Sequence, residues 1–388
     1  MGWPPPSVGG MPIGYAITVG LIAFCTAVAL IGPRPSHTQP SFWGYWVTFQ
    51  INEQPFLPFY VLVASSALAV AEGDVDSLGG RIVFAVAVLT VPGLLELARR
   101  ALLTGPAVRQ ALAEGGIALS PARRPWAHIL LAPFAVRRRD VSRVRNLSYG
   151  DAAGRANLLD VYHRHDRPAG APVFVFFHGG GFRMGSKNRE ARALLNHLAA
   201  RGWVGVNANY RLTPAAHYPD HHVDGKKVIA WVRAHAADYG GDPRTIVVAG
   251  TSAGAHLASM IGLTPNDPAF QPGFEEADTS VAAVVGFSGY YGRVDGPGSS
   301  PLDRLGEAPP FLFVHGDNDS LSLVEDTRSF VDRLRSASTA PVLYAELPGG
   351  QHAFDLFFYL RYSYVIEAVA AFGDWAARRN APAGRTPG

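Results

Sequence analysis

Ser252 stands in "TIVVAGTSAGAHLASMIG", residues 245–262, with Gly250 and Gly254 two positions to either side. An apolar run precedes it and a helix-like stretch follows, so the segment reads as strand, tight turn, helix. Glycines at this spacing permit the strained turn that holds a serine hydroxyl exposed, and the helix behind it directs its N-terminal dipole at charge developing there. Upstream, "VFVFFHGGGF", residues 173–182, ends a second apolar run in His178, Gly179, Gly180 and Gly181. Such bare backbone supplies unobstructed N–H groups for a tetrahedral oxyanion, and Ala253, the residue after the serine, adds another. Downstream, "FVHGDNDSL" offers Asp317 and Asp319, and "LPGGQHAFDLF" offers His352. A serine hydroxyl attacks a carbonyl only when a histidine takes its proton, and that histidine needs a carboxylate to fix its tautomer. The chain order Ser, Asp, His is one of the orders in which this constellation occurs.

Position separates His352 from the other twelve histidines. His256 falls inside the helix after the serine, and His178 belongs to the glycine loop. His217, His221 and His222 sit near Asp220 and Asp224, but their spacing matches no H-E-x-x-H pattern, so a solvated or structural cluster is expected and no metal. The triple glycine has neither the Lys-Ser/Thr of a phosphate loop nor a G-x-G-x-x-G spacing. No cofactor is expected.

From about Val141, short apolar runs alternate with stretches that can hold helices. "NLLDVYH", "VFVFFHG", "WVGVNANYRL", "TIVVAGTS", "AAVVGFSG", "FLFVHGD" and "VLYAELPG" read as strands. Alternation of this kind predicts an α/β fold, a largely parallel sheet covered by helices on both faces, with its site beyond the carboxyl ends of the strands. The glycine loop, Ser252, the aspartates and His352 all fall at such ends.

The first hundred residues differ. Residues 11–32 carry no charge and are long enough to span a bilayer core of about 30 Å. Residues 55–71 and 82–98 are shorter apolar runs, and three in succession predict a membrane region over 1–98. A cleavable signal peptide fits poorly, because residues 1–10 hold no Lys or Arg, and Pro6 argues against myristoylation at Gly2. "SFWGYWVTF", residues 41–49, places Trp43, Tyr45 and Trp46 where an interfacial aromatic belt would lie. Residues 99–140 read as a basic connector, 141–380 as the catalytic domain, and 381–388 as a frayed tail. The connector up to 139 holds eight arginines against the single acid Glu114, whereas 72–81 holds Glu72, Asp74 and Asp76 against Arg81. Arginine is retained on the cytoplasmic side, so the catalytic domain is expected there, on a multi-pass membrane protein. The net charge of +3 and the absence of a basic aromatic stripe exclude a nucleic-acid partner. Cys25, alone and in an apolar run, excludes an intramolecular disulfide and reads as an inert thiol.

Residues 141–380 resemble an α/β-hydrolase of the hormone-sensitive-lipase-like carboxylesterase family. "HGGGF", "GDPRTIVVAGTSAG", "HGDND" and "GQHAF" match that family's oxyanion, elbow, acid and histidine segments in order. The resemblance implies Ser252 as nucleophile, His352 as general base, Asp319 as its acid, and Gly180, Gly181 and Ala253 as oxyanion donors, with His178, Gly179, Gly250 and Gly254 supporting them. Thr251 stands where the elbow usually has Asp or Glu, and Ala255 where it has a second glycine, which leans toward arylformamidase- and feruloyl-esterase-like relatives. Membrane-anchored actinobacterial esterases and lipases resemble the whole layout. The implied activity is hydrolysis of short- to medium-chain acyl esters, on small-molecule or lipid substrates, without a cofactor. An amidase or formamidase would use the same residues, a peptidase would want a gating domain, and a non-catalytic member of the fold would have lost Ser, His or the glycines. Phe354, Leu356, Phe357, Phe358 and Tyr359, directly after His352, are read as core positions of the last helix, as an acyl-pocket lining, or as a membrane-facing set.

Overall fold

The computed structural model describes residues 12–32, 41–120, 123–152 and 154–380. Arg34, the tail 381–388 and the expected start of the first span at residue 11 lie outside the described residues.

The chain opens with helices α1 (Ile13–Ile31), α2 (Phe42–Glu53), α3 (Phe56–Ala71) and α4 (Leu78–Glu114). A short helix α5 (Trp126–Leu131) follows, and then the strands begin: β1 (Val141–Ser148), β2 (Leu158–Arg164) and β3 (Ala171–Phe177). Helix α6 (Arg192–Ala200) leads to β4 (Val204–Ala208), and α7 (Asp220–His235) to β5 (Gly241–Thr251). The remainder is α8 (Ala253–Leu263), β6 (Ala283–Phe287), β7 (Phe311–Gly316), α9 (Val324–Ala337), β8 (Val342–Leu347) and α10 (Leu360–Asn380).

All eight strands form one sheet in the order β1-β2-β4-β3-β5-β6-β7-β8. The β1–β2 and β2–β4 pairs are antiparallel and every pair from β4–β3 to β7–β8 is parallel. Central strand β3 is apolar on both faces because both faces are covered. Phe174 and Phe176 pack under α6 and α10, and Val173, Val175 and Phe177 pack under α7 and α8. Each such buried aromatic contributes about 1.5–3 kcal/mol. The sheet therefore brings the carboxyl ends of β3, β5, β7 and β8 to one edge.

Two expectations need correction. The stretch 99–140 is not an irregular connector throughout: α4 continues unbroken to Glu114 through Pro92 and Pro106. Its second half packs on β8 and α10, and Ala101, Val108, Ala111 and Leu112 are buried there. Arginines at 99, 100 and 109 hid that apolar stripe. The aromatic segment 41–49 falls mostly in α2, whose first turn is capped by Ser41 Oγ accepting from Gly44 N. The residues after His352 are not helical either, since α10 starts at Leu360; Phe354 and Tyr359 are core, and Phe357 packs edge-on against Phe134.

Helices α1, α3 and the first half of α4 pack as an up-down-up group. Tyr15 Oη lies 2.9 Å from Ser66 Oγ, and Arg100 Nη1 donates to Leu30 O at 3.2 Å. The ends near Ile31, Phe56 and Arg100 thus meet the α/β domain, and the turn at 72–77 lies at the far end. By length and composition, α1 and α4 can each cross a membrane, and the α2–α3 pair qualifies as a third, broken span bent by 80°.

Candidate active site

Ser252 joins β5 to α8 with φ 55° and ψ −116°, a strained conformation for a residue with a side chain. Sequence explains how the turn is tolerated. A Cβ at Gly254 would come within 2.1 Å of Phe177 O, so only glycine lets the first turn of α8 press against the end of β3. Ser252 N is anchored on Phe287 O at 2.9 Å.

The glycine loop lies beside this elbow. Gly180 has φ +121°, and a Cβ there would fall 2.0 Å from Met184 O. Gly180 O accepts from Arg183 N and Met184 N, closing the loop on itself at 3.0 and 3.1 Å. Among the described residues, no carbonyl accepts from the N–H of Gly180, Gly181 or Ala253, and all three residues line one cavity with Ser252 and His352. For Ala253 this follows from its place as the first residue of α8, where a helix has no partner to offer. His178 supports the loop from below: its ring stacks on Tyr210 and its Nδ1 lies 2.7 Å from Gly179 O. Burial holds its pKa down to about 4, so it is neutral and cannot add a charge to the site.

His352 Nδ1 lies 2.7 Å from Asp319 Oδ2. Asp319 is fully enclosed, with Oδ1 accepting from Leu321 N and Ser322 N at 2.8 Å each. His315, at the end of β7, presents Nε2 to Ser322 O at 3.0 Å and to Asp319 Oδ2 at 3.2 Å, while its Nδ1 meets Thr327 Oγ1 at 2.7 Å. Burial alone would raise the Asp319 pKa, but His352 and His315 outweigh it and hold the carboxyl well below its usual range. For His352 burial disfavours the charged ring, yet Asp319 prevails and the pKa is raised. Asp317 instead accepts from Gly349 N at 2.6 Å and braces the histidine loop from outside. No hydrogen bond joins Ser252 Oγ to His352 in this conformation, although both face the cavity. Catalytic hydrogen bonds of this kind tighten in the substrate complex.

The sequence-selected residues Ser252, Asp319, His352, Gly180, Gly181 and Ala253 are therefore brought together. Several neighbours escaped the sequence reading. Thr251, the departure at the elbow, donates its hydroxyl to Asp355, so a carboxylate reaches this position from the histidine loop instead of from the elbow itself. Glu190 lines the cavity with its Oε2 unpartnered. Burial, helped by the Asp355 charge, pushes its pKa up to about 7. Nothing in the spacing of either residue signals this. His221 packs face to face on Phe182, and His217 borders the cavity; among the described residues no group of His, Cys, Asp and Glu could hold a metal.

The cavity has a volume of about 740 Å³. One wall comes from outside the sheet altogether: Phe42, Tyr45 and Trp46 of α2 line it. Tyr45 meets the His352 ring edge-on at 6.3 Å between centroids.

A mostly parallel eight-stranded sheet with a serine elbow after the fifth strand defines the α/β-hydrolase fold. Comparison with known proteins narrows this. The BD-FAE family model matches residues 159–295. "Probable carboxylic ester hydrolase LipM" of Mycobacterium tuberculosis is 36% identical over 400 residues, covering 91% of both chains. "Esterase LipC" of the same organism is 37% identical, over 76% of this chain and 81% of its own. Among solved structures, the propionate-bound esterase 2 of Thermogutta terrifontis is 26% identical with a TM-score of 0.51, covering 58% of this chain and 92% of that one. The chain belongs to the hormone-sensitive-lipase-like carboxylesterases, and it is a carboxylic ester hydrolase.

Proposed function

We propose that the enzyme cleaves short- to medium-chain acyl esters through a Ser252-His352-Asp319 triad and an acyl-enzyme. The observation that carries this reading is the convergence on one cavity of a strained serine, a histidine held by a buried aspartate, and three backbone N–H groups with no acceptor. His352 Nε2 takes the proton as Ser252 Oγ attacks the ester carbonyl. The oxyanion is received by the N–H groups of Gly180, Gly181 and Ala253. His352 then returns the proton to the leaving alcohol, and water repeats the sequence on the acyl-enzyme. Asp319 stabilises the imidazolium without itself taking a proton. No step calls on a cofactor.

The acyl-length reading is supported by solved structures of the Thermogutta terrifontis esterase with propionate and butyrate bound. The BD-FAE match and Thr251 at the elbow favour one alternative, a feruloyl-esterase- or arylformamidase-like substrate. Helices α1, α3 and the first half of α4 are read as three spans, with the hydrolase on the cytoplasmic side because the arginines follow the third. Labelling by a fluorophosphonate, and its loss in Ser252→Ala, tests the nucleophile. Rates on p-nitrophenyl acyl esters set beside N-formyl aromatic amides separate the two substrate classes.

A further inference from the structure

Helix α2 buries three polar side chains and exposes three large aromatic ones. Its face toward the hydrolase buries Thr48 and Glu53, both 0% exposed, and Asn52 at 1%, beside the aromatic rings of Tyr45 and Phe49. Its outward face carries Phe42, Trp43 and Trp46, exposed by 63%, 61% and 74%. In water an exposed aromatic set of this size, on a helix that buries polar groups, runs against the ordinary pattern of a surface helix.

Each of these buried polar side chains is engaged by the hydrolase, so the orientation of α2 is built in. Gln351, next to His352, donates Nε2 to Thr48 Oγ1 at 2.8 Å and its backbone N to Glu53 Oε1 at 2.8 Å. Arg361, buried at the start of α10, donates Nε to Glu53 Oε2 at 3.0 Å, and Asn52 donates to Gly349 O. At its other end, Ser41 N donates to Ser320 O in the loop that carries Asp319. Helix α2 is thus locked in one orientation against the loops of the candidate acid and base, and that orientation turns its aromatic face outward.

The surroundings indicate what covers this face. Helix α2 connects the hydrolase-side ends of α1 and α3 and is bent by 80° from α3. If α3 runs along the bilayer normal, α2 lies almost in the membrane plane at the depth where Trp is favoured. Phe42 and Trp46 also line the cavity, and exposed Met184 and Tyr290 continue its rim. The mouth of the cavity and the aromatic surface are therefore contiguous.

We infer that α2 is an interfacial helix that seats the cavity mouth in the bilayer surface, and that the substrate is an ester whose hydrocarbon tail stays in the membrane while its short acyl group enters the cavity. Helix α2 then serves as one wall of the site and as the edge over which substrate arrives, without passing through bulk water. The inference rests on the proposed spans and on the Ser252 nucleophile, and it deepens that reading by naming the substrate class.

The full chain reconstituted in phosphatidylcholine vesicles provides the test, with two butyryl esters: p-nitrophenyl butyrate in water and hexadecyl butyrate dissolved in the bilayer. Trp43 is the position to change, being on the outer face and not among the cavity-lining residues. Trp43→Ser should lower hydrolysis of hexadecyl butyrate at least fivefold and leave kcat/KM for p-nitrophenyl butyrate within twofold, while Trp43→Phe keeps both. Lipid brominated near the headgroup should quench wild-type tryptophan emission more than that of Trp43→Phe. Wild type that cleaves the soluble ester but not the bilayer ester would overturn the inference, as would equal quenching in both proteins or an equal loss on both esters in Trp43→Ser. Failure of the wild type on both esters would instead refute the esterase reading on which it rests.

Discussion

The division of labour between two aspartates two positions apart is set by backbone geometry. Asp319 points inward, where Leu321 N, Ser322 N and His315 leave its Oδ2 aimed at His352, whereas Asp317 turns outward to Gly349 N. Asp319→Asn should lower kcat by about 10⁴, because the amide presents the wrong partner to the imidazole. Asp317→Asn should cost far less, and a larger loss from Asp317→Asn in steady-state assays would overturn the assignment. The pH profile gives a second readout on the same pair. His352 must be neutral to accept the serine proton, and Asp319 raises its pKa. Activity should therefore fall, as pH is lowered, at a pH above the ordinary histidine value of about 6.5. In Asp319→Asn the acid limb of kcat/KM should move down, because the charge that favoured the imidazolium is gone.

At the scale of elements, the glycine loop and α2 are held by different physics. The loop depends on backbone that a side chain cannot occupy: Gly180→Val places Cβ against Met184 O and forces φ +121° on a β-branched residue. Displacing one oxyanion donor should cost about 10²–10³ in kcat with circular dichroism unchanged. Unaltered turnover would remove the loop from the mechanism. Helix α2 depends on a buried ion pair, Glu53 with Arg361, both fully enclosed. Removing one partner strands the other charge, so Glu53→Ala should destabilise the chain by about 3–5 kcal/mol, measured by denaturation in detergent. A change under 1 kcal/mol would mean that the pair does not hold the helix.

At the scale of the whole molecule, the up-down-up packing of α1, α3 and the first half of α4 fixes where the hydrolase sits relative to the proposed spans. Their near ends all meet the catalytic domain, while the α3–α4 turn containing Asp76 lies opposite. Reporter fusions at residue 140 should be cytoplasmic and at residue 76 external. Periplasmic activity at 140 would reverse the assignment. Only α4 lies between the two positions, so the pair of fusions tests that crossing and its direction.

What the sequence determined by itself is local and periodic. The alternation of apolar runs with helical stretches dictated a parallel sheet, because a strand covered on both faces must be apolar throughout. Ser252, Gly180, Gly181 and His352 were legible because each chemical role demands a residue type at the end of a strand. What only the tertiary structure decided are contacts between segments far apart in the chain. Three hundred and three positions separate Thr48 from its partner Gln351, and no periodicity encodes such a pairing. The same holds for Thr251 with Asp355. Helix α2 is the sharpest case. Its aromatics read as an interfacial belt, yet Tyr45 is buried against His352, and its polar residues gained meaning only when packing showed them buried, since a polar side chain is stable inside only if a specific partner awaits it there.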